Sequence, residues 1–393
     1  MANDKNFKIK NGLLAGRYLL SSGTATSGAE GYAFSSASYT NNSLDLGADV
    51  GASPSSIRWK PDGLKLFVYE SANDAIFSLT LTTAYDLSTA TVDGTSYTFF
   101  STEVGSDDGT TFHIGANGSK LYIPEDPGSP VIHQYTLSTP WDLGSESFDG
   151  SLDLTSDPDM TYGTGAINFK TDGTRVYIYA NFSLEQEIFQ FDLATAWDIT
   201  STRSNKQILD LSGDLSGQGS SSDIHFTPDG LSFVVSSTGL DQLLSYTMTT
   251  AWDVTTATLS HTFDTSSLDG SPRSTGYNSD GTKLFFVGLV SDSIFELDTS
   301  LPTQTLDLST GNTFSFTPSG ATTVSFTNAP ASGTAVGFTV EVVGDGSAIT
   351  WPSSVEWHLG TAPTATASKE LYAFVTTDGG TTYYGRKAAE NLA

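Results

Sequence analysis

The sequence predicts an all-β chain: a β-propeller followed by a small β-sandwich-like C-terminal domain. A unit of about 55 residues recurs five times, and a fixed period of that size marks propellers and other repeat arrays. Only 16% of the residues are charged, too few to solvate long helices; an average domain carries about 25%. Glycine is abundant, at 38 residues, which suits short strands joined by tight turns.

The elements follow in chain order. Residues 1–30 are small and polar after a Lys-containing start and read as an extended arm, a candidate attachment segment. Residues 31–309 read as the propeller. Each unit opens on a strand and reaches a turn, at Asp62-Gly63, Asn117-Gly118, Asp172-Gly173, Asp229-Gly230 and Asp280-Gly281. Both residues of such a pair tolerate positive φ, as tight hairpins demand. The glycines stand 55, 55, 57 and 51 residues apart.

A second strand follows each turn, for example Leu64–Tyr69 and Thr174–Tyr179. A third begins at Ile76, Ile132, Ile188, Leu243 and Ile294. Then comes an aromatic-Asp marker, at Tyr85-Asp86, Trp141-Asp142, Trp197-Asp198 and Trp252-Asp253, which the fifth unit lacks. A fourth strand closes the unit. Four antiparallel strands repeated about an axis make a propeller, and an offset strand at one end closes the ring. Ser43–Val50 is therefore expected to complete the last blade. Five blades are the reading, and six the alternative if residues 17–50 hold more than one strand.

Residues 310–386 break the repeat. Five strands are expected there: Thr313–Thr317, Thr322–Thr327, Val336–Val343, Ile349–Trp357 and Glu370–Tyr384. A module of this size is weak alone and gains from association, so it is a candidate for oligomerisation. Residues 387–393 read as a tail.

Charge bounds the partners. With 17 basic and 44 acidic residues the net charge is −27, which argues against nucleic acid, whose phosphates call for clustered Lys and Arg. It argues equally against an anionic membrane surface. Cysteine is absent, which removes disulfides and thiolate chemistry. No apolar run approaches the roughly 18 residues of a membrane span. Gly12–Gly16 is too short for a signal peptide's apolar core, so synthesis in a cytosol without export is expected.

The blade motif resembles the propeller repeats of tail-fibre and other appendage proteins of tailed bacteriophages, best at Phe226–Val235 and Ala251–Thr258. The C-terminal segments Leu308–Phe314, Asn328–Gly333, Ile349–Trp357, Gly360–Pro363 and Thr376–Gly385 are similar to a module in virion proteins of marine phages. Phe7–Gly12 resembles the start of such fibres. The resemblance implies a virion structural protein, multimeric, with other virion proteins as partners and a role in attachment to a host glycan or protein. The alternatives are a head-decorating virion protein, a lectin-like binding propeller or a polysaccharide depolymerase. It transfers no catalytic residue.

Read for chemistry, the chain is expected not to be an enzyme and to carry no catalytic, cofactor-binding or metal-binding residue. The five histidines show no ligand spacing. His113 and His225 share one repeat column with Arg58, Asn168 and Gly276, flanked by apolar columns. First strands are innermost, so this column either forms a channel site for an anion or sugar, or is simply hydrated. His133 stands where three other units carry Phe77, Phe189 and Phe295 and reads as packed core. His261 and His358 are solitary. Tyr85, Trp141, Trp197 and Trp252 could stack on glycans, but recurrence at one blade position favours packing between blades.

The acidic pairs Glu125/Asp126, Asp107/Asp108 and Asp157/Asp159 lie in loops, and Ser156–Met160 is a poor fragment of a calcium loop. Receptor contacts, unassigned to single residues, are expected where units differ: Ser101–Thr110, Glu125–Pro130, Ser156–Thr164 and Asn181–Gln186.

Overall fold

A computed structural model describes residues 32–98, 111–125, 130–160, 163–182, 185–215, 221–301, 303–318, 321–344 and 346–392. The expected arm and the loop Ser101–Thr110 lie outside them, and the other three variable loops are described only in part. The chain divides into two compact units, Ala37–Thr299 and a second containing the residues from Ser300 on.

The first unit is a five-blade propeller. Its closing strand β1 (Ser38–Asp45) comes first in the chain. Blade 1 then holds β2 (Pro54–Trp59), β3 (Lys65–Glu70), β4 (Ala75–Leu81) and β5 (Ala90–Tyr97). Blade 2 holds β6 (His113–Gly115), β7 (Lys120–Pro124), β8 (Val131–Leu137) and β9 (Glu146–Asp153). Blade 3 holds β10 (Thr164–Phe169), β11 (Arg175–Phe182), β12 (Glu185–Leu193) and β13 (Arg203–Asp210). Blade 4 holds β14 (Ser221–Phe226), β15 (Ser232–Ser237), β16 (Gln242–Met248) and β17 (Ala257–Asp264). Blade 5 has β18 (Pro272–Tyr277), β19 (Lys283–Gly288) and β20 (Ser293–Asp298), and β1 pairs antiparallel with β20 as its fourth strand. The closing strand begins and ends five residues before the expected span, because Leu46–Gly51 turns back on the Leu46 carbonyl instead of staying extended.

In blades 1, 3, 4 and 5 the Asp side chain of the turn accepts from the backbone N–H two residues on, at Leu64, Thr174, Leu231 and Thr282. That Asx bond fixes the hairpin. The marker aromatic then lies over the turn glycine. Gly173 has φ +72, and a Cβ added to it would sit 2.3 Å from the Trp197 indole. Glycine is thus required twice, for its backbone and for its missing side chain.

The marker also ties neighbouring blades. The Tyr122 hydroxyl of blade 2 donates to the Trp197 carbonyl of blade 3 (2.6 Å), and Tyr177 of blade 3 donates to Trp252 of blade 4 (2.7 Å). Gln134 accepts from Ile199 N–H and Gln190 from Val254 N–H, each one blade on. The cores accordingly sit between blades: one joins Tyr177 and Ile188 to Phe226 and Phe233, another joins Tyr69 and Ile76 to Phe112 and Leu121.

The second unit packs two sheets. One is β21 (Thr303–Asp307), β23 (Thr322–Thr327) and β25 (Ile349–Thr350). The other orders β22 (Thr313–Phe316), β24 (Val336–Val343), β27 (Lys369–Thr376), β28 (Tyr383–Leu392) and β26 (Val355–Trp357). Phe326, Phe338, Trp351, Phe374 and Tyr383 form an aromatic core between them. The expected strand Ile349–Trp357 is in fact two strands in different sheets. Pro352 has no N–H to give a ladder, and the chain turns there, with Val355 N–H on the Pro352 carbonyl. Glu370–Tyr384 likewise divides at Gly379 and Gly380, both at positive φ.

Candidate active site

The column Arg58, His113, Asn168, His225 and Gly276 lies on the five first strands at one register. Its members face Phe67, Tyr122, Tyr177, Val234 and Phe285 of the second strands. First strands of neighbouring blades bond directly. Thr111 Oγ1 donates to the Gly165 carbonyl, Asn168 Nδ2 to the Ile224 carbonyl, and Ile57 N–H to Ser274 Oγ. These contacts put the column around the channel.

Arg58 spans it. Nη1 lies 2.8 Å from Asp223 Oδ2 and Nη2 3.0 Å from Oδ1, a bidentate pair joining blade 1 to blade 4. Asp223 is fully buried, and Arg58 is 6% exposed. Ser274 of blade 5 donates to the same carboxylate (2.6 Å), and Ile224 N–H supplies a third donor (2.9 Å). The guanidinium passes over the Phe112 ring at 5.8 Å. Its Nε–H has no acceptor among the described residues.

Beside this pair stand the two imidazoles, each with an enclosed Nδ1 that has no partner among the described residues. Burial and the Arg58 charge hold His225 down to about 4, against a smaller pull upward from Asp223. Burial, Arg58 and His225 together hold His113 well below the ordinary histidine value. Both rings are therefore neutral at pH 7, each with one unprotonated ring nitrogen. The arrangement offers two bases and a fixed positive group in one enclosed place.

Sequence reasoning named the column but missed Asp223 and Ser274. A signal was present: two residues before each member of the column stand Ser56, Thr111, Ala166, Asp223 and Ser274, and one carboxylate interrupts that small-residue series.

The other candidates fall elsewhere. Tyr85, Trp141, Trp197 and Trp252 lie over turn glycines, between blades. His133 is 4% exposed, as a packed residue would be, yet both ring nitrogens are bonded: Nε2 to Glu125 Oε1 (2.7 Å) and Nδ1 to Ser151 Oγ (2.9 Å). His261 lies exposed on β17. His358 lines a shallow groove of the second unit with Trp357, Tyr384 and Arg386. Asp157 and Asp159 hold the Lys206 ammonium rather than forming a cation loop. Asp107, Asp108 and Asp126 lie outside the described residues. Among the described residues no cluster of three His, Asp or Glu side chains is placed to hold a metal ion.

The comparisons with known proteins bear on the propeller and its blade unit. The family described as "Lactonase, 7-bladed beta-propeller" matches residues 132–313, a stretch that includes Asn168, Asp223, His225 and Ser274. The ring here has five blades, so the similarity is to the blade unit and not to the blade number. A search of curated proteins returns no match.

Solved structures with similar folds include a functionally unknown protein from Desulfotomaculum acetoxidans, at 13% identity, covering 60% of this chain and 62% of that one, with a TM-score of 0.35. A proposed 6-phosphogluconolactonase from Bacteroides uniformis shows 12% identity, coverage of 60% and 64%, and a TM-score of 0.37. Hydrazine synthase from Kuenenia stuttgartiensis shows 15% identity, coverage of 64% and 72%, and a TM-score of 0.38. The chain thus spans under two thirds of the length of the first two, and overlaps this low carry no argument about function.

The match to an enzyme family corrects the sequence-based expectation of a non-enzymatic virion protein, whether tail fibre, head decoration or host-attachment appendage. Blade motifs recur in propellers of many activities, which is why the resemblance misled on function. The matches do not bear on the resemblance to phage appendage proteins itself.

Proposed function

We propose that the propeller hydrolyses a cyclic ester, with the channel as its active site. The observation that carries this reading is the pair of imidazoles, His113 and His225, held neutral beside the Arg58–Asp223 bridge. The family match over residues 132–313 supplies the substrate class. One imidazole takes a proton from water, and the water oxygen attacks the lactone carbonyl carbon. The ring C–O bond breaks, and the leaving alkoxide takes up the proton to give a hydroxy acid. The positive charge of Arg58 favours the oxyanion that forms on the way. Asp223 and Ser274 are positioning residues that act through Arg58.

The test follows acid release from a panel of γ- and δ-lactones by pH-stat, using the full chain. Release that falls about a hundredfold or more in His225→Asn, the range of a lost general base, supports the reading. Absence of release from every lactone, or release undiminished in both His113→Asn and His225→Asn, overturns it.

A further inference from the structure

On the outer half of blade 2, Glu125, His133 and Ser151 form a cluster with a chemistry of its own. A carboxylate at Glu125 can only accept, so its 2.7 Å contact places the proton of His133 on Nε2. In the neutral ring Nδ1 then presents a lone pair, to which the Ser151 hydroxyl donates across 2.9 Å. Hydroxyl, imidazole and carboxylate form one directed chain, the order of nucleophile, base and orienting group.

The setting departs from the repeat in the one residue that matters. Opposite three of the four equivalents of His133 stand Ser96, Thr262 and Ser43, with Ile208 in blade 3, so a hydroxyl at Ser151 is common for a fourth strand. The imidazole is not: blades 1, 3 and 5 carry Phe77, Phe189 and Phe295 at that position.

The site is also reachable. Ser151 is exposed, while His133 and Glu125 are mostly covered, with 5% and 22% of their side chains accessible. β9 is the outer strand of its sheet. Leu154 N–H bonds to the Pro130 carbonyl, and pairing alternates along an antiparallel ladder. The Ser151 N–H therefore points away from β8, free to donate to an oxyanion formed at its own side chain. Phe148, 44% exposed, stands 6.0 Å from the His133 ring and offers an apolar surface for an acyl group. Glu146, Asp149 and Asp153 on the same strand disfavour an anionic substrate.

We propose that Ser151 and His133 form a second catalytic site, separate from the channel, which transfers the acyl group of small uncharged esters to Ser151, with Glu125 as its positioning residue. Ser151 Oγ bonds to the ester carbonyl carbon while its proton passes to His133 Nδ1. The C–O bond to the alcohol breaks, and the alcohol leaves with that proton. Water then cleaves the acyl-Ser151 bond by the same proton route, releasing a carboxylic acid and restoring the hydroxyl.

The experiment treats the full chain with a fluorophosphonate probe and maps the adduct by peptide mass. One adduct on Ser151 is expected, absent from Ser151→Ala. His133→Phe restores the residue of three other blades, so the ring keeps its fold, which circular dichroism checks; labelling should slow by about a hundredfold or more, as for loss of a general base. Glu125→Gln should slow it to a lesser degree. No adduct on Ser151, or one that forms at the same rate in His133→Phe, overturns the proposal.

Discussion

Replacing Asp223 with alanine removes the only carboxylate among the described residues that pairs with the Arg58 guanidinium in the channel. Asp223 is fully buried and Arg58 is 6% exposed, so the charge left behind has no bulk water to turn to. The same change strips an acceptor from Ser274 Oγ and from Ile224 N–H. Losing one partner of a buried pair costs about 3–5 kcal/mol. For a unit of this size that is a fall in Tm of about 10 °C. A bridge solvated by channel water would instead behave as a surface pair, worth about 0–1 kcal/mol. Urea unfolding followed by tryptophan fluorescence separates the two cases. The double variant Arg58→Met with Asp223→Leu should recover most of the loss, since apolar replacement of a buried pair is close to neutral. An Asp223→Ala loss under about 1 kcal/mol, or a double variant no better than the worse single one, would refute the reasoning.

Three further outcomes are expected. Gly173→Ala meets the Trp197 indole at 2.3 Å in a left-handed backbone, so it should cost about 2–4 kcal/mol; Gly94→Ala, at the same φ with nothing within 4 Å, should cost about 1 kcal/mol, by thermal melts of both. His225 is held down to about 4 in the fold, so the unfolded chain takes up its proton first. The stability this imidazole confers is complete above its unfolded value of about 6.5 and is lost as pH falls toward 4, on the order of 3 kcal/mol in all; urea midpoints between pH 7 and 5 should fall less steeply in His225→Asn. In the second unit, burial raises the Glu370 carboxyl, but bonds from Lys387, Tyr372 and Thr366 bring it below its usual value. Lys387→Ala should therefore cost that unit about 3 kcal/mol at pH 7 and less near pH 4, where a protonated Glu370 needs no counter-charge, as calorimetry at the two pH values would report.

Most of the propeller was legible because its signals are local. Asp-Gly turns and period-two apolar runs lie within ten residues of each other, and the blade repeats them. The offset closing strand was legible too, since rings close that way. What escaped depends on contacts far apart in sequence. Arg58 meets Asp223 165 residues away, and reading one residue per strand could not pair them. His133 read correctly as covered, but its partners Glu125 and Ser151 lie on either side of a strand pairing whose register is not written in either strand alone. In the second unit Pro352 was a visible breaker that a continuous apolar reading passed over. The absence of catalysis was inferred from missing motifs, and a channel assembled from one residue per blade has no motif to find.

Repetition also separates architecture from chemistry. Gln134 and Gln190 recur and do the same work, each holding the next blade's backbone. The departures do something else. His133 among phenylalanines is the simpler departure, because reverting it to Phe removes only its bonds to Glu125 and Ser151, and both of those side chains reach solvent. Asp223 differs. Its equivalents are Ser56, Thr111, Ala166 and Ser274, yet restoring serine there would strand Arg58, which is itself a departure among His113, Asn168, His225 and Gly276. Reversion should therefore cost little at His133 and much at Asp223, although both look alike in an alignment of the blades. Coupled departures, unlike single ones, define an enclosed site that several blades must build together, and among the described residues Arg58 and Asp223 form one in the channel.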